Sequence, residues 1–318
     1  MATVRRAVID VGTNSVKLLI ADVAGRDVRP VQEESRQTRL GRDFYATHRL
    51  QPAAVARTAE AVAEFVRRAQ AMNSSRIRVV ATSAARDAVN PADLISAIEC
   101  AAGLKTEILS GAREADWVFR GVATDAALAQ LPLLLIEVGG GSTEFILGHG
   151  RHQTFAHSFP LGTVRFLEKF PHGDPPTDAE FQTGRDWVRH LLQAEVRPLL
   201  EPALPPGEKS DAVRLVGTGG TTSILARIEK KLDRFDRAQI DGTVLNFEQV
   251  VAHRKNLWRL PLAARREIPG LPKLHADVIL PGILIYEAVM AEFGFPQLRV
   301  STRGLRFAAV MAEEAEAK

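Results

Sequence analysis

Residues 9–20, IDVGTNSVKLLI, lie over residues 136–147, IEVGGGSTEFIL, without a gap. Ile9 falls on Ile136, Asp10 on Glu137, Val11-Gly12 on Val138-Gly139, Ser15 on Ser142 and Lys17 on Glu144. No other feature constrains the fold as much. Each copy reads as an apolar strand ending on a carboxylate, a turn of small residues, and a returning strand. A dinucleotide-binding fingerprint needs a helix directly after its glycines, and here a second strand follows. The chain contains no G-x-x-x-x-G-K-[ST], which excludes a P-loop. A tight turn alone accounts for glycine at such a place, because glycine reaches positive φ without steric cost. The other account is close approach of backbone N–H groups to a large anion, which a side chain would block.

A third glycine stretch bears on that choice. LVGTGGTTSILARI reads as strand, glycine loop and helix, the arrangement that sets anions at a helix N-terminus. Elsewhere PAAVARTAEAVAEFVRRAQAM is an amphipathic helix, RIRVVA a buried strand, and READWVFRGVATDAAL a helix. Asn90 is expected to cap a helix that opens at Pro91. A long helix is expected over about Asp178–Leu200, a kink or break at Pro281, and a surface loop over residues 201–210. Strands and helices interleave, so the class is α/β. At 318 residues the chain is too long for one comfortable core. Two hairpins related by duplication suit two similar α/β domains facing each other across a cleft. The carboxylates closing the first strands, Asp10 and Glu137, can hold a hard cation such as Mg²⁺, which prefers oxygen ligands and phosphate company.

Composition narrows the function classes. The net charge is +3, aromatic residues make up 6%, and no Lys/Arg block interleaves with aromatics. A nucleic-acid polymer is therefore not an expected partner. The longest apolar runs are strand-length, so no membrane partner is expected. The N-terminus lacks a signal-peptide pattern, and one cysteine, Cys100, suits a reducing cytoplasm. In ISAIECAAG, Cys100 reads as core filler. The eight histidines show no metal-ligand spacing.

Beyond the hairpins, AVIDVGTNSVKLLI, VVATSAARDAVN, EILSGAREADWVFRGV, LIEVGGGSTEFILG, SFPLGTVRF, LVGTGGTTSILA and DVILPGILI follow one another over nearly the whole chain. In that order they resemble the Ppx/GppA exopolyphosphatase/guanosine pentaphosphate phosphohydrolase family of the ASKHA superfamily, in its short two-domain form. The resemblance implies two actin-like domains, residues 1–128 and 129–301, with a C-terminal helix at 302–318 packing back on the first. It implies Mg²⁺-dependent hydrolysis of terminal phosphates of linear polyphosphate or of pppGpp, and the superfamily suggests a homodimer.

By the same resemblance Glu114 matches the family's catalytic base, and Glu144 a carboxylate that helps hold water or metal. Asp10, Glu137 and Glu144 are the expected metal ligands. Gly139, Gly140, Gly141, Ser142 and Thr143 are expected to cradle phosphate, with Thr13, Asn14 and Ser15 opposite and Gly217, Gly219 and Gly220 as a third wall. Arg86 is expected on phosphate oxygens, where a guanidinium fork suits the geometry. Lys17, Arg165, Arg303 and Arg306 are weaker candidates for a basic channel. Three departures stand out: Glu137 where the family has Asp, Arg113 in place of an acid, and Phe307-Ala308 in place of Glu-Gly. Three readings stay open: an exopolyphosphatase, a pppGpp 5′-phosphohydrolase, and a non-catalytic sensor on the same fold. The phosphate apparatus is clear and a base pocket is not, which favours the first.

Overall fold

The computed structural model describes residues 2–205 and 213–313. The chain divides into two compact units, Met1–Ala126 with Arg303–Lys318, and Ala127–Thr302.

In the first unit, β1 (Val4–Val11), β2 (Ser15–Ala24) and β3 (Asp27–Gln37) form an antiparallel meander. β4 (Arg76–Ala81) and β5 (Thr106–Ile108) add in parallel, giving the order β3-β2-β1-β4-β5. A parallel neighbour needs a long crossover, and the helix Pro52–Ala71 lies between β3 and β4. It buries Val55, Ala59, Val62, Phe65, Val66 and Ala69, the stripe that a 3.6-residue period turns to one side. The C-terminal helix Leu305–Met311 belongs to this unit. Its approach is set by Gly121 on the helix Gly111–Val122, where a Cβ would drive into the carbonyl carbon of Gly304 at 2.7 Å.

In the second unit, β6 (Pro132–Val138), β7 (Thr143–His149) and β8 (His152–Phe159) form the second meander. β9 (Arg214–Thr218) and β11 (Gln297–Val300) add in parallel, and β10 (Val244–Asn246) closes the edge antiparallel. The order is β10-β11-β9-β6-β7-β8. Without β10 it repeats the first sheet strand for strand, so the duplication extends far beyond the aligned dozen residues. This doubled order is the actin-like α/β fold that the resemblance implied. The helix Ile279–Phe293 is buried on nearly every side, including Ile283, Ile285, Tyr286, Val289 and Met290, as an apolar-all-round helix must be. No helix among the described residues is long and apolar enough to cross a membrane.

Four local expectations are corrected. Cys100 is exposed, because the helix Pro91–Ala102 buries only Leu94 and Ile98 and Cys100 falls off that stripe. Asn90 is the N-cap residue of this helix, which opens at Pro91 as expected, but its side chain makes no cap bond and instead bonds both backbone groups of Leu50. Pro281 makes no break, since the helix begins at Ile279 and its first turn needs no N–H partner there. The helix expected over 178–200 passes through a π turn at Leu192–Val196. Of the loop expected at 201–210, residues 206–210 lie outside the described residues, as does the end of the tail helix expected through 318.

Gly121→Ala tests the packing of the C-terminal helix. The added methyl meets backbone rather than a flexible side chain, so a loss of roughly 1–3 kcal/mol is expected. An unchanged urea midpoint would contradict the contact.

Candidate phosphate-binding site

The glycine loop after β6 is held from behind. Thr163 N–H donates to the Gly139 carbonyl (3.0 Å), and Val164 and Arg165 N–H donate to Gly140 (2.8 and 3.2 Å). Arg165 Nε donates to the Gly141 carbonyl at 2.8 Å. In a trans peptide the carbonyl and the following N–H point opposite ways. Capture of these three carbonyls therefore turns the N–H groups of Gly140, Gly141 and Ser142 away from the backing segment, all to one side. Three adjacent N–H groups so turned form a concavity for an anion. The backing chain comes this close only because residue 162 is glycine. A Cβ there would lie 2.5 Å from the carbonyl carbons of both Gly140 and Gly141.

The first unit repeats the device. Gly41 N–H donates to the Thr13 carbonyl (2.8 Å), and Thr38 and Arg39 N–H donate to Asn14 (3.1 and 2.9 Å). The N–H groups of Asn14 and Ser15 are turned outward by the same reasoning. The hairpin registers also match. Asp10 pairs with Lys17 as Glu137 pairs with Glu144, and Gly12 N–H reaches Ser15 O (3.1 Å) as Gly139 N–H reaches Ser142 O (2.9 Å).

The copies diverge at the strand ends. Asp10 faces a lysine, whereas Glu137 and Glu144 set two carboxylates directly across from each other on one face. Like charges so placed are destabilising unless a proton or cation accompanies them. Glu144 is 1% exposed, and its Oε1 accepts from Ser142 Oγ (2.7 Å) and Ser158 Oγ (2.8 Å). Glu137 reaches the third loop. A Cβ on Gly219, which sits at φ +95°, would lie 3.3 Å from Glu137 Oε1. The helix Gly220–Glu229 starts there, and a Cβ on Gly220 would meet nothing within 4 Å among the described residues. Tyr286 lies beneath, its hydroxyl within reach of the Ile136 and Thr218 carbonyls (3.1 and 3.2 Å). Burial first, then the charge of Glu137, pushes its phenol far up, so it stays a proton donor.

Some expected side chains face elsewhere. The Thr143 hydroxyl donates to the Leu161 carbonyl and is fully buried, so it braces the loop. A Cβ on Gly217 would meet Thr222 at 2.5 Å and Tyr286 at 3.1 Å, so this glycine serves core packing. Ser142 Oγ donates to Glu144 Oε1, and Asn14 Oδ1 accepts from Gln37 Nε2 (3.1 Å), so the outward donors of the second loop are its backbone N–H groups. Thr13 and Ser15 are buried in the first loop.

In the first unit, Arg86 Nη1 meets Glu114 Oε2 at 2.7 Å and the Leu109 carbonyl at 3.1 Å. Glu114 is 8% exposed in the first turn of its helix, whose N-cap Ser110 accepts from Arg113 N–H. Burial pushes the Asp10 carboxyl up, against the opposing pull of Lys17 and Arg306. Arg303 donates to Thr124, and Arg306 to the Leu18 carbonyl. Of the departures, Arg113 pairs with Glu107 (2.8 Å) and lies over Trp117, and Phe307 is buried.

No group of three or more His, Cys, Asp or Glu side chains is gathered to hold a metal by itself among the described residues. The donors still fit Mg²⁺, which keeps several waters and takes one or two carboxylates beside phosphate oxygens. Asp10, whose ionisation burial opposes, and the opposed pair Glu137–Glu144 are such donors.

Sequence spacing pointed to the loops but not to what backs them. Gly41, Gly162 and Arg165 act through main-chain carbonyls, and only SFPLGTVRF hinted at the segment. Comparison with known proteins agrees with the fold. A model of the Ppx/GppA phosphatase family matches residues 19–315. Exopolyphosphatase 2 of Mycobacterium tuberculosis is 35% identical over 317 residues, covering 95% of this chain and 96% of that protein. Among solved structures, the Aquifex aeolicus PPX-GPPA enzyme has a TM-score of 0.78 at 28% identity, over 98% of this chain and 100% of the other. An exopolyphosphatase from Cytophaga hutchinsonii has a TM-score of 0.84 at 26% identity, over 96% of each.

Two predictions follow from the geometry. Gly162→Ala should weaken binding of inorganic phosphate at least tenfold and cost roughly 1–3 kcal/mol of stability; unchanged phosphate affinity would count against the nest. Asp10→Asn should stabilise the fold at neutral pH. A carboxyl raised on folding binds its proton more tightly in the native state, so its contribution is full below the unfolded pKa and declines as pH rises through the folded value. The gain over wild type should be present at pH 7.5 and shrink as pH falls towards the ordinary carboxylate range. A loss of stability at both pH values would refute the assignment.

Proposed function

The chain belongs to the Ppx/GppA phosphatase family, and we propose that it is an Mg²⁺-dependent exopolyphosphatase releasing orthophosphate from the ends of linear polyphosphate. The observation that carries this reading is the row of outward N–H groups at Gly140, Gly141 and Ser142 beside the acidic pair Glu137–Glu144. Such a place suits phosphate accompanied by a cation.

Phosphoryl transfer asks the protein for charge neutralisation, placement of the attacking water, and a group to receive its proton. In this proposal the N–H groups of the two hairpin loops and of the helix beginning at Gly220 bind phosphate oxygens. These donors are fixed before the substrate arrives, which is where preorganised electrostatics helps most. In the second unit Glu137 and Glu144 would hold Mg²⁺, which when bound neutralises charge on the phosphoryl oxygens and the leaving phosphate, and Asp10 is the corresponding carboxylate donor of the first unit. Ser142 and Ser158 keep the Glu144 carboxylate in one orientation. Glu114 accepts a proton from water as the water oxygen bonds to the terminal phosphorus. The bridging P–O bond breaks, and the shortened chain leaves with the electron pair. Arg86, gripping Oε2, orients Glu114 for that role.

Glu114→Gln should lower phosphate release from polyphosphate by ~10²–10⁴-fold, with the melting temperature close to wild type, and EDTA should abolish release by wild type. Robust release from pppGpp with none from polyphosphate would overturn the substrate assignment. Full activity in Glu114→Gln would overturn the role of Glu114.

A further inference from the structure

We infer that Gly184 is a positioning residue for phosphate binding, an inference that rests on the phosphate reading above: the notch it leaves in its helix seats the Phe166 ring, and the seated ring fixes the segment that backs the glycine loop. That segment is the helix Thr163–Lys169. Its first-turn N–H groups have no partner inside the helix, and they go to the loop instead. Thr163 N–H serves the Gly139 carbonyl, and Val164 and Arg165 N–H serve Gly140. Phe166 N–H is the next donor, and it makes the helix's own first bond, to the Gly162 carbonyl at 2.8 Å. Phe166 therefore follows directly on the donors that capture the loop, and a shift of its ring is passed to a helix only seven residues long.

Gly184 lies inside the helix Asp178–Leu191, on the buried stripe Phe181, Gly184, Val188 and Leu191. Glycine is disfavoured in a helix interior relative to alanine, and here the Phe166 ring occupies the room that a side chain would take. A Cβ on Gly184 would lie 2.5 Å from Phe166 Cζ, and 3.3 and 3.5 Å from the two Cε atoms, so the tip of the ring points at the Gly184 main chain. Phe166 is buried and packed among aromatic neighbours. Its ring centre lies 5.2 Å from that of Phe170 and 6.0 Å from that of Trp187, and those two lie 5.3 Å apart. Trp187 comes from the same helix as Gly184, and Lys169 Nζ sits 5.0 Å from its ring centre. A methyl group at position 184 would meet a rigid ring with packed neighbours, and a close-packed interior transmits such strain. The helix Thr163–Lys169 then moves with its ring, and the hydrogen bonds to Gly139 and Gly140 lengthen. The N–H groups of Gly140, Gly141 and Ser142 lose the single orientation on which a fixed phosphate nest relies.

The test combines amide hydrogen exchange of the ¹⁵N-labelled free protein with calorimetric binding of tripolyphosphate in Mg²⁺. It uses wild type, Gly184→Ala, Phe166→Leu, the double variant Gly184→Ala/Phe166→Leu, and Val188→Ala, which removes core volume from the same stripe one turn on. Gly184→Ala should speed exchange of the Thr163 and Val164 amides roughly tenfold, with the amides of β6 and β7 changing less, and should weaken tripolyphosphate binding about tenfold. The double variant, whose shorter side chain makes room for the methyl group, should recover most of both losses. Val188→Ala should lower the melting temperature and leave binding within about twofold of wild type. Wild-type exchange and affinity in Gly184→Ala overturn the inference. So does a double variant no better than Gly184→Ala, or an equal loss of affinity in Val188→Ala, which marks general destabilisation. If Gly184→Ala does not fold, Phe166→Leu alone decides: it leaves the notch unfilled, so faster exchange at Thr163 and Val164 supports the inference and unchanged exchange overturns it. If wild type binds no tripolyphosphate, the phosphate reading fails and this inference with it; if wild type binds and Gly184→Ala binds equally well, the inference alone fails.

Discussion

Capture of the loop carbonyls is the constraint on which the geometry of both glycine loops, and the phosphate site proposed there, depends. A turn of glycines is flexible on its own, and its N–H groups would solvate in many directions. Hydrogen bonds from Thr163, Val164 and Arg165 remove that freedom on one side of the loop. The opposite side is then committed to donors that converge. The cost of this arrangement is close backbone contact, and Gly162 is where that cost is met. Gly41 meets it in the first unit, where a Cβ would collide with the Thr13 side chain. The donors this arrangement turns outward belong to main chain, and the Thr143 and Ser142 side chains brace the loop.

Duplication then explains how one device came to do different work. Both units hold the same strand order, the same hairpin register and the same turn bond. What changes is the charge across from the first strand's carboxylate, lysine in one unit and glutamate in the other. Asp10 with Lys17 is nearly neutral as a pair. Glu137 with Glu144 calls for a cation, and Tyr286 beneath it is held in its neutral, donating form. The second hairpin is therefore the acidic, cation-demanding copy, while the first keeps an outward pair of N–H groups.

What was legible in the sequence was what repeats locally. The gap-free match of residues 9–20 with 136–147 carried the two hairpins, because a strand pair meeting across a short turn writes its partners close together, and the interleaving of strands with helices carried the α/β class. The ion pair of Arg86 with Glu114 spans twenty-eight residues and has no local signature. The backing of Gly140 by Val164 and Arg165 is likewise invisible, since main-chain acceptors leave no mark on residue choice. Side-chain orientation was the other blind spot. Thr143 and Gly217 stand in glycine-rich, hydroxyl-rich stretches, yet packing turns them to the core. Cys100 sits in an apolar stretch, but its helix presents only Leu94 and Ile98 to the interior.

The most direct measurement of the central claim is the amide spectrum of ¹⁵N-labelled Glu114→Gln protein titrated with tripolyphosphate and Mg²⁺. If outward N–H groups hold phosphate, the largest downfield proton shifts fall on Gly140, Gly141 and Ser142, with Asn14, Ser15, Gly220 and Thr221 following. The amides of Thr163, Val164 and Arg165, bonded on the far side, move little. Saturable binding that leaves the Gly140–Ser142 amides unmoved would contradict the account.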